Sequence, residues 1–198
     1  MSIQQEGVLE LLPIDDSGQV CLDLSDSPSL AIGMAKRGVH TYIDSCNKDA
    51  VSRIIMLAGL ESVSNRISLC KEASNSLKFD FILLRQKSID IDAVNKLCKR
   101  LRPGGTLVFN ISNTKLSQIE DAVNALDFLN ARVYLPFGDE SGPAFVLPKE
   151  ELAQYYYRYW SWKTFNVRFW LNKLVEYFFV FKLGQLWPVS NYIILLKK

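Results

Sequence analysis

The chain is 198 residues long, 48% hydrophobic and 22% charged, which is long enough to bury a full core and short for two independent domains. This composition excludes disordered and collagen-like classes, so one domain with an extension is expected. The net charge of +2 hides an asymmetry: residues 155–198 carry seven Lys or Arg against the single acid Glu176, a net of +6, leaving −4 on the first 154 residues. The opening stretch, MSIQQEGVLELLPIDDSG, has acids and no basic cluster ahead of an apolar run; it does not read as a secretory signal, and a cytoplasmic protein is expected.

In chain order, short β-rich runs alternate with helical patterns, the arrangement of an α/β domain with a parallel sheet. The predicted strands are QVCLDLS, VHTYIDS, RISLCKE, FDFILLR, TLVFNIS and ARVYLPF. Between the second and third, Ala50, Val51, Ile54, Ile55 and Ala58 recur at helical spacing, and Gly59 can close that helix. A second helix, IDAVNKLCKRL, aligns Ala93, Val94, Leu97 and Leu101 before RPGG breaks it, and KLSQIEDAVNALDFL aligns Ile119, Val123, Leu126 and Leu129 in a third. Residues 137–143, FGDESGP, read as a turn-rich loop, either a plain connection or a lid at the sheet edge. The result is a doubly wound sheet, with an organisational boundary near Pro148 where composition changes.

The most demanding point is VCLDLSDSPS, an apolar strand ending at an acid and followed by a turn toward a helix. Ser25, Ser27 and Ser29 stand where a nucleotide-binding turn carries glycine, the residue that allows positive φ and close backbone approach. Asp23 and Asp44, at the ends of the first two strands, are 21 residues apart, an interval suited to an acid reaching ribose hydroxyls.

These segments together resemble the class I S-adenosylmethionine-dependent methyltransferases. VCLDLSDSPS occupies the place of the family's glycine-rich first motif, TYIDS that of the second, and SLCKEAS that of the third, while FDFILL and LCKRLRPGGTLVF match the fourth strand and the helix, turn and fifth strand. The resemblance implies a Rossmann-like, mostly parallel sheet of seven strands with an antiparallel last strand. It divides the chain into a core at 1–148, an aromatic and basic helical insertion at 149–189, and a final strand at 190–198. The implied cofactor is S-adenosylmethionine. Its methionine portion would lie against the turn holding Asp23, Ser25, Asp26 and Ser27, its ribose against Asp44 and Ser45, and its adenine beside Glu72 and Ala73, with Arg85 completing the cofactor-binding set.

The first motif departs from that pattern. Three serines add side chains at a point of near contact, and Asp26 puts a carboxylate where the methionine carboxylate would lie, so weakened cofactor affinity is expected. Two readings stay open: a methyltransferase acting on oxygen or nitrogen of a small or sugar-like acceptor, and a retained scaffold that acts as an interaction module. Methyl transfer from a sulfonium needs chiefly alignment, so no catalytic side chain is singled out. Arg85, Gln86 and Lys87 follow the fourth strand in place of an NPPY-type motif, which argues against an amino methyltransferase acting on adenine or glutamine. His40, the only histidine, starts the second strand at the wrong end for chemistry, and Cys21, Cys46, Cys70 and Cys98 lack metal-ligand spacing, so no metal is expected.

The tail from Tyr155 contains all four tryptophans and aligns Val167, Trp170, Leu171, Leu174, Phe178 and Phe181 on one helical face. Its longest apolar run, residues 177–181, is far too short to span a bilayer. A helical layer over the sheet edge, a homodimer or protein interface through residues 155–187, and a contact with an anionic membrane surface are the three readings. Nucleic acid is disfavoured by the negative charge of the rest of the chain.

Overall fold

A computed structural model of the chain describes residues 6–15, 18–70, 77–86, 90–112, 118, 121, 123–126, 130–139, 142–148 and 191–197. Strand β1 (Val20–Leu24) leads through α2 (Pro28–Lys36) to β2 (His40–Ile43), and α3 (Lys48–Leu60) leads to β3 (Ile67–Leu69). Then come β4 (Phe79–Gln86), α4 (Ile91–Cys98), β5 (Leu101–Ser112), β6 (Asn130–Asp139), β7 (Gly142–Pro148) and β8 (Asn191–Lys197), with a short α1 (Glu6–Leu9) ahead of them all. The strands form one sheet in the order β3-β2-β1-β4-β5-β8-β6-β7. The first five are parallel, and β8 runs antiparallel between β5 and β6.

Alternation along the strands builds two cores. Leu22, Ile82, Leu84, Leu107 and Phe109 face one side with Val94 of α4 and Leu126, while Cys21, Phe81, Leu83 and Val108 face the other with Met34 of α2. Burial on both faces is what makes FDFILL read as a continuous apolar run. The second face is also closed by Val8, Leu9 and Leu12, which belong to its buried cluster. Leu9 lies so close to Gly33 that a Cβ there would sit 2.4 Å from Leu9 Cδ1, so Gly33 makes room for the N-terminal turn.

Several expectations need correction. Among the described residues the sheet has eight strands, not seven, because strand pairing extends into FGDESGP: β6 continues to Asp139, β7 starts at Gly142, and Phe137 pairs with Phe145. Turn-forming residues over so short a stretch also suit the tip of a hairpin, and strand pairing resolves that ambiguity. On α3, Ala50, Ile54 and Ala58 are buried but Ile55 is 52% exposed, since the helix touches the sheet along a stripe narrower than the apolar pattern. Gly59 lies inside α3, and the left-handed residue that follows the helix is Ser62, φ 58°. Leu101 belongs to β5, not to the helix before it, and pairs with Phe79.

The RPGG segment explains that last difference. Phe79 pairs with Leu101 and Phe81 with Thr106, so Asp80 alone stands opposite residues 102–105 in a wide bulge. Asp80 ties the bulge down: its Oδ2 accepts from the Val20 N–H at 2.8 Å, and Arg102 Nη1 donates to both carboxylate oxygens at 2.9 and 3.1 Å. A Cβ on Gly105 would meet three backbone carbonyl oxygens, of Arg102 at 2.9 Å, Asp80 at 3.0 Å and Phe79 at 3.2 Å. Glycine is a steric requirement there.

Candidate functional site

Strand order reverses between β1 and β4, and in an open α/β sheet the crevice beyond the carboxyl ends at that point is where ligands bind. The turn after β1 fills this position. Asp23 is 1% exposed, and its Oδ1 accepts from Ser25 N–H at 2.8 Å and from Ser25 Oγ at 2.6 Å. Ser25 Oγ in turn accepts from the Ser27 N–H at 3.3 Å. Asp23, Ser25 and Ser27 therefore form a run of side-chain-to-backbone bonds that holds the turn from inside, as Asx and Ser/Thr turns do. Ser25 and Ser27 are buried, and Ser27 starts α2 with Pro28 in the first helical position.

This geometry corrects the expectation about the serines. None of the three adopts positive φ; the left-handed position falls on Asp26, φ 55°, whose side chain is exposed. The demand for a left-handed residue persists in this turn and is met by aspartate, which tolerates that conformation better than most side chains. Asp is among the few non-glycine residues suited to that conformation, so the sequence carries the signal at Asp26 and not at the alternating serines.

Asp44 follows β2 and is exposed, and its N–H donates to the Asp23 carbonyl at 3.0 Å, which places the ends of β1 and β2 side by side. Ser45 is engaged locally: its Oγ accepts from the Asn47 N–H at 2.9 Å, and Asn47 caps α3 by accepting from Asp49 and Ala50. Arg85 is exposed near the end of β4, one rung beyond the Leu24–Leu84 pair. Asp23, Ser25, Asp26, Ser27 and Asp44 thus share one edge, with Arg85 on the neighbouring strand. Glu72 and Ala73 lie outside the described residues, as does the aromatic segment at 155–187.

Electrostatically the edge is acidic. Burial pushes the Asp23 carboxyl up from 3.8 to about 6, the two bonds from Ser25 oppose that rise, and the Asp26 charge adds to it. Asp23 Oδ2 is buried without a hydrogen-bond partner among the described residues. Sequence reasoning missed Cys70, just past β3, noting only its lack of metal-ligand spacing. Burial raises its thiol, the Arg100 guanidinium pulls the other way, and the Asp44 carboxylate, accepting from the thiol, adds to the rise. Ile43 pairs with Leu69, so the register of β2 with β3 brings Cys70 to the Asp44 side of the crevice. His40 sits at the opposite, amino end of the sheet, where its Nε2 lies 3.1 Å from Ser68 Oγ and its ring packs on Tyr42. Among the described residues no His, Cys, Asp or Glu group could hold a metal ion, and no helix is long and apolar enough to cross a membrane.

No family model matches the sequence, and no curated protein matches it. Solved structures do. YjhP from E. coli is 12% identical, with 100% of this chain and 92% of that one aligned at a TM-score of 0.57. An rRNA methylase from Streptococcus thermophilus is 13% identical over 100% of this chain and 99% of its own, TM-score 0.56. A SAM-dependent methyltransferase from Geobacter sulfurreducens in complex with S-adenosyl-L-homocysteine is 13% identical over 96% and 87%, TM-score 0.54. At these identities the likeness is one of fold.

Proposed function

We propose, from the premise that this chain has the Rossmann-like fold of the class I S-adenosylmethionine-dependent methyltransferases, that it binds an adenosyl sulfonium at the carboxyl edge of β1 and β2 and transfers a methyl group to a small acceptor. The observation that carries this reading is the pairing of Asp23 and Asp44 at the switch point, through the 3.0 Å bond from the Asp44 N–H. Asp44 keeps an exposed carboxylate, able to accept two hydrogen bonds from the vicinal hydroxyls of a ribose. Asp23 keeps a buried oxygen with no hydrogen-bond partner among the described residues. The S-adenosyl-L-homocysteine complex of the Geobacter neighbour supports the nucleoside class.

The fit is good for the nucleoside and poor for an amino-acid carboxylate, because Asp26 carries a negative side chain at the turn. When bound, the sulfonium supplies an activated methyl group, and what this chain must add is alignment and exclusion of water. Calorimetry with S-adenosylmethionine and S-adenosylhomocysteine tests the reading. Binding at or below millimolar concentration is expected, with loss of at least tenfold in Asp44→Ala, about the value of one good polar contact. The absence of any binding at millimolar ligand overturns it.

A further inference from the structure

We infer that the crevice selects an adenosyl sulfonium bearing a terminal ammonium and no carboxylate, in preference to S-adenosylmethionine itself. This inference rests on the cofactor reading above and narrows it to a ligand of particular charge.

Three carboxylates stand on the edge formed by β1 and β2. Asp26 projects from the left-handed corner of the turn and is near enough to repel Asp23, and Asp44 is tied to Asp23 through the backbone. Neither turn contains a basic residue: residues 23–27 read DLSDS and residues 44–47 read DSCN. An amino-acid ligand would bring a further carboxylate to this edge, and like charges a few ångströms apart repel strongly once water is displaced.

The second observation is the orphaned oxygen. Asp23 is 1% exposed, its Oδ1 is used by Ser25, and its Oδ2 has no partner among the described residues. A buried acceptor in that state gains most from a charged donor, since a bond between an ammonium and a carboxylate is about twice as strong as a neutral one. A ligand whose side chain ends in a primary ammonium is attracted by both Asp26 and Asp23, and no protein donor among the described residues competes for Asp23 Oδ2. Removing the carboxylate from S-adenosylmethionine turns its net charge from +1 to +2, by the loss of one negative group, and removes the only part of it that this turn repels. Arg85, an exposed cation on the adjoining strand, would favour a carboxylate, as would Arg100, whose guanidinium acts on Cys70 beside Asp44, and Arg85 therefore belongs in the test.

Calorimetry with three probes separates the possibilities: S-adenosylmethionine, its decarboxylated form ending in an aminopropyl ammonium, and neutral 5′-methylthioadenosine. The decarboxylated ligand is expected to bind about tenfold more tightly than S-adenosylmethionine, with the ratio shrinking as salt is raised. In Asp26→Asn, which suits the left-handed turn and removes the charge, the ratio should fall toward one while 5′-methylthioadenosine binds unchanged. Equal or tighter binding of S-adenosylmethionine, with a preference abolished by Arg85→Gln, overturns the inference. Binding of the neutral thioether without charge preference sinks this inference and leaves the cofactor site standing; failure of all three ligands to bind sinks both.

Discussion

Two turns of this molecule face the same backbone problem and solve it differently. The bulge near the start of β5 keeps its glycines: Gly104 adopts φ 79°, and Gly105 lies against three carbonyl oxygens. The turn after β1 has no glycine; Asp26 takes the left-handed position, and two buried serines bond the chain from within. The difference lies in what surrounds each turn. At Gly105 the neighbours are backbone atoms of the scaffold, which cannot give way. At Asp26 the side chain has solvent on its outer side, so a residue with a carboxylate can replace glycine at a modest conformational cost. The scaffold turn is therefore constrained by its own sheet, whereas the turn at the crevice is free to carry charge.

The largest effect is expected where a side chain is forced into the bulge. Gly105→Val should destabilise the fold by about 4 kcal/mol, read as a fall of about 10 °C in Tm, because its Cβ meets backbone from two strands. Gly104→Ala, with open space but positive φ, should cost only about 1 kcal/mol. Equal losses at the two positions would break the distinction between crowding and conformation.

A pH dependence comes next. The Asp23 carboxyl is raised to about 6 in the folded chain from 3.8, so its protonated form is favoured by folding. Its contribution is most favourable below pH 4 and declines as pH rises through the window from about 4 to about 6, by about 3 kcal/mol in all. Asn in its place keeps an acceptor for Ser25 and does not titrate. The stability of wild type relative to Asp23→Asn, followed by denaturant melts, should therefore decrease across that window; a flat difference refutes the assignment.

The smallest effect concerns the turn itself. Asp26→Gly should raise stability by about 0.5–1 kcal/mol by relieving the left-handed strain and the repulsion of Asp23. A loss of stability would show that the Asp26 side chain holds the turn.

Much of the sheet could be read from residues 20–112, because strands buried on both faces carry long apolar runs and the helix Lys48–Leu60 carries Ala50, Ile54 and Ala58 at helical spacing. The misreadings have local causes. Turn-rich composition marks a hairpin tip as readily as a loop, so β7 went unrecognised, and an apolar helix pattern does not say how wide its buried stripe is, so Ile55 was placed inward. At the site, the acids at the ends of β1 and β2 were visible as a spacing of 21 residues. The partners of Ser45 and Cys70 were not visible, because the first depends on a cap geometry and the second on the register of β2 with β3.

Residue type alone sets acids at the ends of β1 and β2, a turn without glycine between β1 and α2, and an RPGG break near the start of β5. Those facts are local, written in residue type and period. That the left-handed position belongs to Asp26 and not to a serine, and that one oxygen of Asp23 is buried without a partner among the described residues, follows from the tertiary structure. Both depend on how the β1 turn is enclosed by its neighbours, and desolvation and backbone conformation arise from that enclosure and not from composition.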